Sequence, residues 1–560
     1  MSRVRRAPPL RRRTSGAAAE TPRDPWRLTR TVLALAAIGI GILGRYRYFN
    51  WCIHDDAYIS FRYARNLVRG AGLVMNPGER VEGVTNFLWT VLAAPAFVLG
   101  LDPATVAQAV GAVLSLGLIA AAFVFSERRL GASWFSIITP ALLALNLAFV
   151  MESLSGLETL AFAALVFAAY VTFLEERRDE RRPAGLWAVW CAVATAMRPE
   201  GGLIFALLAA WSAVGVWRGE PVARLRRAAI FYAVLVAPLF AFRLAYYGQL
   251  LPNTFYTKVG YTAAQLVRGY RYTRYTFVFT MTLPMTVLAL VVPCLRFLHP
   301  RSVPNVPATP HAWTRLFAGR PRDEAVAVAW MLVFVYIAYV WLVGGDYEPT
   351  GRFHAPVLVL FYLLFQESLR SLALWLGERA PKLRTLALVL AMAGAVFVAQ
   401  QSGSRILAVL ETRGWPQARR AHNEQLRAVG DWLRANTPPT TLIAVSSIGA
   451  LPYYADRPTL DMMGLTDPQI GRRKVATMGM GPSGHEKGDG AYVLSRRPDI
   501  ILFDKGQLFP NEVTPEEVLK GARGVSEIEI ARAPELMQDY QLMKTRLPAG
   551  VFYWLQRRRP

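Results

Sequence analysis

Long apolar blocks recur along most of this chain, near residues 31–49, 84–101, 103–126, 133–150, 157–174, 186–197, 202–217, 227–246, 276–298, 325–343, 355–373 and 384–401. A bilayer's hydrocarbon core is crossed by about 20 apolar residues in a helix. Inside it every backbone N–H and C=O must find a partner within the segment or its neighbours. The pattern therefore predicts a polytopic α-helical membrane protein. Apolar residues make up 53% of the chain and charged residues are scarce, at 18%. The formal net charge of +24 does not point to nucleic acid, because most Arg flanks the apolar blocks, where cytoplasmic orientation signals belong.

Topology follows from those arginines. If every block crossed, the arginines of 177–182, 224–227 and 315–322 would face outward, against the positive-inside rule. Letting 84–101, which carries Pro95, enter the membrane and turn back repairs all the loops together. The arginines of 128–129, 177–182, 218–227, 315–322 and 379–384 then fall in the cytoplasm, giving about 11 spans plus a re-entrant segment and an exported C-terminus. Residues 1–30 are Arg-rich and read as a disordered basic cytoplasmic tail. The block after them lacks a small-residue cleavage site and reads as an uncleaved anchor. Residues 31–402 form the membrane domain with its external loops. From 403 to 560 the pattern changes to an amphipathic helix over 421–436 and strands near 441–446, 497–503 and 550–556, which predicts a small extracytoplasmic α/β domain. Cys52, Cys191 and Cys294 are scattered and indicate neither a disulfide framework nor a metal cluster.

This topology collects the unusual polar residues on the outer face. Asp55 and Asp56 follow the first block and open an amphipathic helix, with Arg62, Arg65 and Arg69 on one side and Ile59, Tyr63 and Leu67 on another. Gly70 and Gly72 can end it, and Asn76-Pro77-Gly78 makes a turn. One Asp suffices to cap a helix; a second carboxylate beside a basic face suits activation of a hydroxyl next to a lipid-linked phosphate. Further outer loops carry E-S-L-S-G-L-E (152–158), R-P-E-G (198–201), Y-G-Q-L-L-P-N-T-F-Y-T-K (247–258) and G-G-D-Y-E-P-T-G-R-F-H-A-P (344–356). Between Tyr246 and Tyr275 lie Lys258, Arg268, Arg271 and Arg274 with no acidic residue. Positive charge on the outer face fits phosphate binding, or contact with anionic headgroups. The glycine-rich run at 479–490 lacks the context of a nucleotide loop and reads as a flexible loop leaning on the membrane site.

The motif D-D-A-Y-I-S-F-R-Y-A-R-N-L-V-R-G-A-G-L-V-M-N-P-G-E-R-V-E-G-V-T-N-F-L-W resembles the signature of bacterial membrane glycosyltransferases of the GT-C fold. The nearest group holds the terminal β-(1→2) arabinofuranosyltransferases of mycobacterial cell-wall arabinan. The likeness continues through S-G-L-E-T, M-R-P-E-G, G-G-D-Y-E-P-T-G-R-F, D-M-M-G-L-T-D and G-H-E-K. It implies an enzyme of the bacterial plasma membrane. Such an enzyme transfers sugar from a polyprenyl-phosphate donor to a cell-envelope glycan or lipid-linked acceptor outside. It also implies a catalytic Asp at Asp55 or Asp56 and a second acidic position at Glu158 or Glu152. Lys258, Arg352, Arg62 and Arg198 are then expected at the donor phosphate. Asn253, Tyr256, Asp346, His354, Glu200 and His485 are expected at the sugar or acceptor. No cofactor is expected, a divalent metal stays compatible with the residues, and the partners are the lipid donor, the acceptor and membrane lipids rather than nucleic acid. A transporter or flippase of lipid-linked sugars is the competing class, against which stands the absence of an evident repeat.

Overall fold

The structure is a computed structural model that describes residues 53–130, 134–179, 182, 184–280, 283–298, 321–348, 351–379, 415–503 and 507–558, with 28–32, 39, 386, 389–390, 393–394 and 397. Five described helices are long and apolar enough to cross a membrane: Pro103–Arg129, Thr159–Arg178, Val222–Tyr247, Asp323–Val343 and Arg352–Trp375. The expected spans at 31–49 and 384–401 lie almost wholly outside the described residues. Leu283–Leu298 completes the 276–298 block after a π-helical turn over Tyr275–Thr280.

Three apolar segments depart from a straight span. The 133–150 block is broken, with Trp134–Leu145 and Ala148–Leu154 meeting at 59°. The cause is Asn146, whose extended backbone leaves the first helix while its side chain accepts from Phe149 N and caps the second; its amide donates to Tyr362 Oη at 2.8 Å. Phe87–Val98 is about 18 Å long at 1.5 Å per residue, well short of the ~30 Å hydrocarbon core, as suits a segment that enters and turns back. Leu186–Met197 is equally short and doubles back through Arg198-Pro199-Glu200 into Gly201–Trp217. The turn is tight enough that a Cβ on Gly201 would lie 2.3 Å from Thr195 N.

The helices have chemically different ends. Glu158 begins the Thr159–Arg178 helix and Arg177 lies near its end, about 28 Å away. There Arg177 pairs with Glu220 and Glu324, from the segments leading into the next spans. Arg177 with its acidic partners thus lies at one end of this helix and Glu158 at the other.

The C-terminal unit is a six-stranded sheet in the order β2-β1-β3-β6-β4, with β5 also on β6. Its strands are β1 (Ile443–Val445), β2 (Thr459–Asp461), β3 (Ile500–Ile501), β4 (Leu508–Phe509), β5 (Tyr540–Leu547) and β6 (Gly550–Arg557). β1 runs parallel to β2 and β3, whereas β6 is antiparallel to β3, β4 and β5. The Trp415–Asn436 helix puts Trp432 against Phe552 and Trp554. The sequence pattern marks β1, β3 and β6. It misses β2 and β4, which are too short to show alternation, and β5, whose Lys544 and Arg546 suit an edge strand.

Candidate active site

The site is built on the Asp55–Val68 helix. Its N-cap is His54, whose Nδ1 accepts from Asp56 N at 3.1 Å, so neither aspartate caps its own helix. The chain leaves the helix through Gly70 and Gly72, both at positive φ, and turns where Glu79 N donates to Asn76 O. The basic face does not bind the cavity. Arg62 donates to Met75 O, Pro452 O, Thr459 Oγ1, Asn76 Oδ1 and Arg457 O, and is 3% exposed. Arg65 and Arg69 pair with Asp456. This face clamps the C-terminal unit, which corrects the expectation that Arg62 meets a phosphate.

The two aspartates diverge, as residues about 100° apart on a helix must. Asp55 Oδ1 accepts from Ala450 N at 2.7 Å at the start of the Ala450–Ala455 helix of the C-terminal unit. Glycine at 449 permits this approach, since a Cβ there would lie 2.4 Å from Asp55 Oδ2. Burial raises the Asp55 carboxyl above its ordinary value. Asp56 lines a cavity of about 300 Å³ that leaves its side chain 32% exposed. The surrounding protein still desolvates it, but His54, Arg352 and Lys258 outweigh that burial and hold its carboxyl below the usual range. Asp56 is therefore the member of the pair that lines the cavity and whose surroundings favour the ionised form.

Around Asp56 the cavity sorts by charge. Lys258 and Arg352 line one part. Arg352 is locked on Asp346 by bonds of 2.8 and 3.0 Å, which leaves Nη1 3.7 Å from Asp56 Oδ2. Lys258 lies under the loop at 483–484, where a Cβ on Gly484 would come within 3.2 Å of Lys258 Cε. Elsewhere Arg198 bridges Glu158 at 2.5 Å and Glu200 at 2.8 Å. Glu158 also accepts from Asn86 Nδ2 at 2.7 Å, so it is not a free base. The alternative acid, Glu152, is buried and bonds to Thr159 without lining the cavity.

The remaining expected residues are placed as follows. Glu200 lines the cavity. Asn253 donates to Gly464 O and Leu465 O, and Tyr256 reaches Gln249 and Arg472; both tie the outer loop to the C-terminal unit. Asp346 serves Arg352. His354 is buried against Tyr272, 5.3 Å between ring centroids, and does not line the cavity. His485 is exposed and meets Tyr347 edge-on. Arg268 of the basic loop pairs with Glu486 at 2.7 Å.

Sequence reasoning missed His54, whose Nε2 meets Glu348 Oε1 at 2.7 Å, and it missed Glu348 and Asn86. A histidine directly before the paired aspartates, in a chain with 6 histidines, was the available signal. Ser483, in the loop read from the sequence as leaning on the membrane site, lines the cavity, and so does Leu465, which that reading did not single out. Among the described residues no group of three or more His, Cys, Asp or Glu is arranged to hold a metal ion.

A family model described as a domain of unknown function (DUF8728) matches residues 416–557. Over 250 residues the chain is 31% identical to the terminal beta-(1->2)-arabinofuranosyltransferase of Mycobacterium tuberculosis, covering 40% of this chain and 38% of that relative's length. Crystal structures of ArnT from Cupriavidus metallidurans match with a TM-score of 0.50 and 13% identity. They cover 95% of this chain and 98% of the ArnT bound to undecaprenyl phosphate, or 97% of the apo form. At that identity the likeness concerns the fold. The chain is a multi-pass membrane protein with the ArnT-like GT-C fold, related over part of its length to an arabinofuranosyltransferase.

Proposed function

We propose that this protein transfers a sugar, arabinofuranose in the reading its relative favours, from a polyprenyl-phosphate donor to a cell-envelope glycan or lipid-linked acceptor. The observation that carries the proposal is Asp56 sharing one cavity with Lys258 and Arg352, whose charges favour its carboxylate form. The relative's name, and the undecaprenyl phosphate in one ArnT crystal, support the donor class.

Asp56 takes the proton of an acceptor hydroxyl as its oxygen attacks the anomeric carbon. The bond from that carbon to the phosphate oxygen breaks, and polyprenyl phosphate leaves with one more negative charge. Lys258, with Arg352 behind Asp56, stabilises that charge. Among the described residues Lys258 acts on Asp56 through charge but is in no side-chain salt bridge that a phosphate would have to displace. Glu158, which lines the cavity, lies at the end of the Thr159–Arg178 helix opposite Arg177, which supports an extracytoplasmic site under the positive-inside rule. Residues 403–560 then form an exported domain that completes the cavity wall.

The test uses the full chain in proteoliposomes with labelled polyprenyl-phosphate arabinose and an arabinan oligosaccharide. Label should move from lipid to oligosaccharide, and Asp56→Ala should abolish the movement. Label that crosses the bilayer still attached to lipid would overturn the proposal in favour of transport.

A further inference from the structure

We propose that the Glu158–Arg198–Glu200 end of the cavity, with Asn86, is the subsite for the donor's sugar, and that it accepts an uncharged, hydroxyl-bearing ring while rejecting a sugar that carries a carboxylate. The proposal rests on the donor class inferred above.

Arg198 was expected at the phosphate, and its surroundings argue otherwise. Nη1 meets Glu158 Oε1 at 2.5 Å, while Nη2 and Nε meet Glu200 at 2.8 and 3.3 Å. The guanidinium lies over the Phe353 ring, 5.5 Å from its centroid. One cation between two carboxylates leaves the group a formal charge of −1. The side chains of Arg198, Glu158 and Glu200 are 13%, 5% and 8% exposed, so water screens that charge poorly. A phosphate placed here would meet like charge, whereas Lys258 offers it the opposite sign.

This wall joins directly to the proposed base. Ser60 lies one helical turn beyond Asp56 and donates to Asn86 Oδ1 at 3.1 Å; Asn86 donates to Glu158. Ser60, Asn86, Glu158, Arg198 and Glu200 all line the same cavity as Asp56. Carboxylate oxygens have two lone pairs each and offer no donor, so Glu158, bonded to Arg198 and Asn86, and Glu200, bonded to Arg198 and Tyr339, still have acceptor sites left. Hydroxyls of a neutral ring can therefore donate to Glu158 and Glu200, with the anomeric carbon held toward Asp56. A ring carboxylate would find no uncommitted cation at this end.

The experiment measures affinities of the full-length protein in nanodiscs for undecaprenyl phosphate, an undecaprenyl-phosphate pentose and an undecaprenyl-phosphate uronic acid. Wild type should bind the pentose lipid at least about tenfold tighter than the uronic-acid lipid. Glu200→Gln and Asn86→Ala should weaken pentose-lipid binding roughly 10- to 100-fold and leave bare undecaprenyl phosphate within about twofold. Glu200→Gln should also narrow the pentose-to-uronate ratio. Equal wild-type affinity for the two sugars, or an equal loss on bare and sugar-bearing lipid in the variants, would overturn the subsite. If wild type binds none of the three, the donor class itself is wrong. The wild-type comparison stands even if a variant misfolds.

Discussion

Asp55→Asn and Asp56→Asn remove the same carboxylate charge from adjacent residues, yet their transfer rates should differ by about two orders of magnitude or more. Asp56 lines the cavity, where His54, Arg352 and Lys258 favour its ionised form. Losing a positioned base costs ~10²–10⁴ in rate, or about 3–5 kcal/mol of barrier. Asp55 instead holds Ala450 N at 2.7 Å, and burial already favours its neutral form. An asparagine keeps an acceptor oxygen there, so the change should cost about 1 kcal/mol and move the rate less than ~10-fold. Asp55→Ala would leave the Ala450 amide without its partner and loosen the docked domain by about 1–2 kcal/mol, seen as a lower Tm with partial activity. The assay is initial transfer rate in proteoliposomes at equal inserted protein, with Tm in parallel. Asp55→Asn falling as far as Asp56→Asn at unchanged Tm would make Asp55 the chemical residue. Full activity in both would remove carboxylate chemistry from the mechanism.

Gly449→Ala places a methyl 2.3 Å from Asp55 O. It should destabilise the docked domain by roughly 1–3 kcal/mol, with Tm and transfer falling together; an unchanged Tm would mean this approach is looser in solution. His54→Asn keeps an N-cap acceptor but loses the bond to Glu348, so kcat should fall about tenfold with little change in Tm. Glu348→Gln should behave alike, and the double variant should be no worse than the weaker single; additive losses would show that the pair does not act through Asp56. Arg352→Gln removes a cation that lowers the Asp56 pKa, so the acid limb of the kcat profile should move to higher pH at saturating donor. The sign follows from linkage. A depressed carboxylate contributes stability above its unfolded pKa and loses it as pH falls through the folded value, so without Arg352 that loss begins at higher pH. A limb that stays put would separate Asp56 from the titration.

The membrane domain was legible because a bilayer demands long apolar segments. The helix after Asp55 was legible from its periodicity and its glycine exit. The bend at Asn146 was not, because an asparagine between two apolar runs reads as one uninterrupted block unless its capping bond to Phe149 is seen. The short strands of the C-terminal unit failed for a similar reason, since two or three residues carry no period.

The site was legible as a set of motifs but not as a set of roles, and the reason is distance along the chain. Arg62 meets Pro452 across 390 positions and Arg198 meets Glu158 across 40. A local pattern therefore shows a basic residue without showing that its charge is already matched. Arg268 and Lys258 stood side by side as phosphate candidates in a loop with no acid of its own. The C-terminal unit separates them, because it brings Glu486 to Arg268 and the side-chain-free Gly484 against Lys258. Which cation is left for a phosphate is thus decided by the segment that covers the loop. If that is right, Glu486→Gln should release Arg268 and strengthen undecaprenyl-phosphate binding in the nanodisc assay, whereas Lys258→Ala should weaken it. A Glu486→Gln variant that folds and binds no more tightly would show that Arg268 lies out of reach of the cavity.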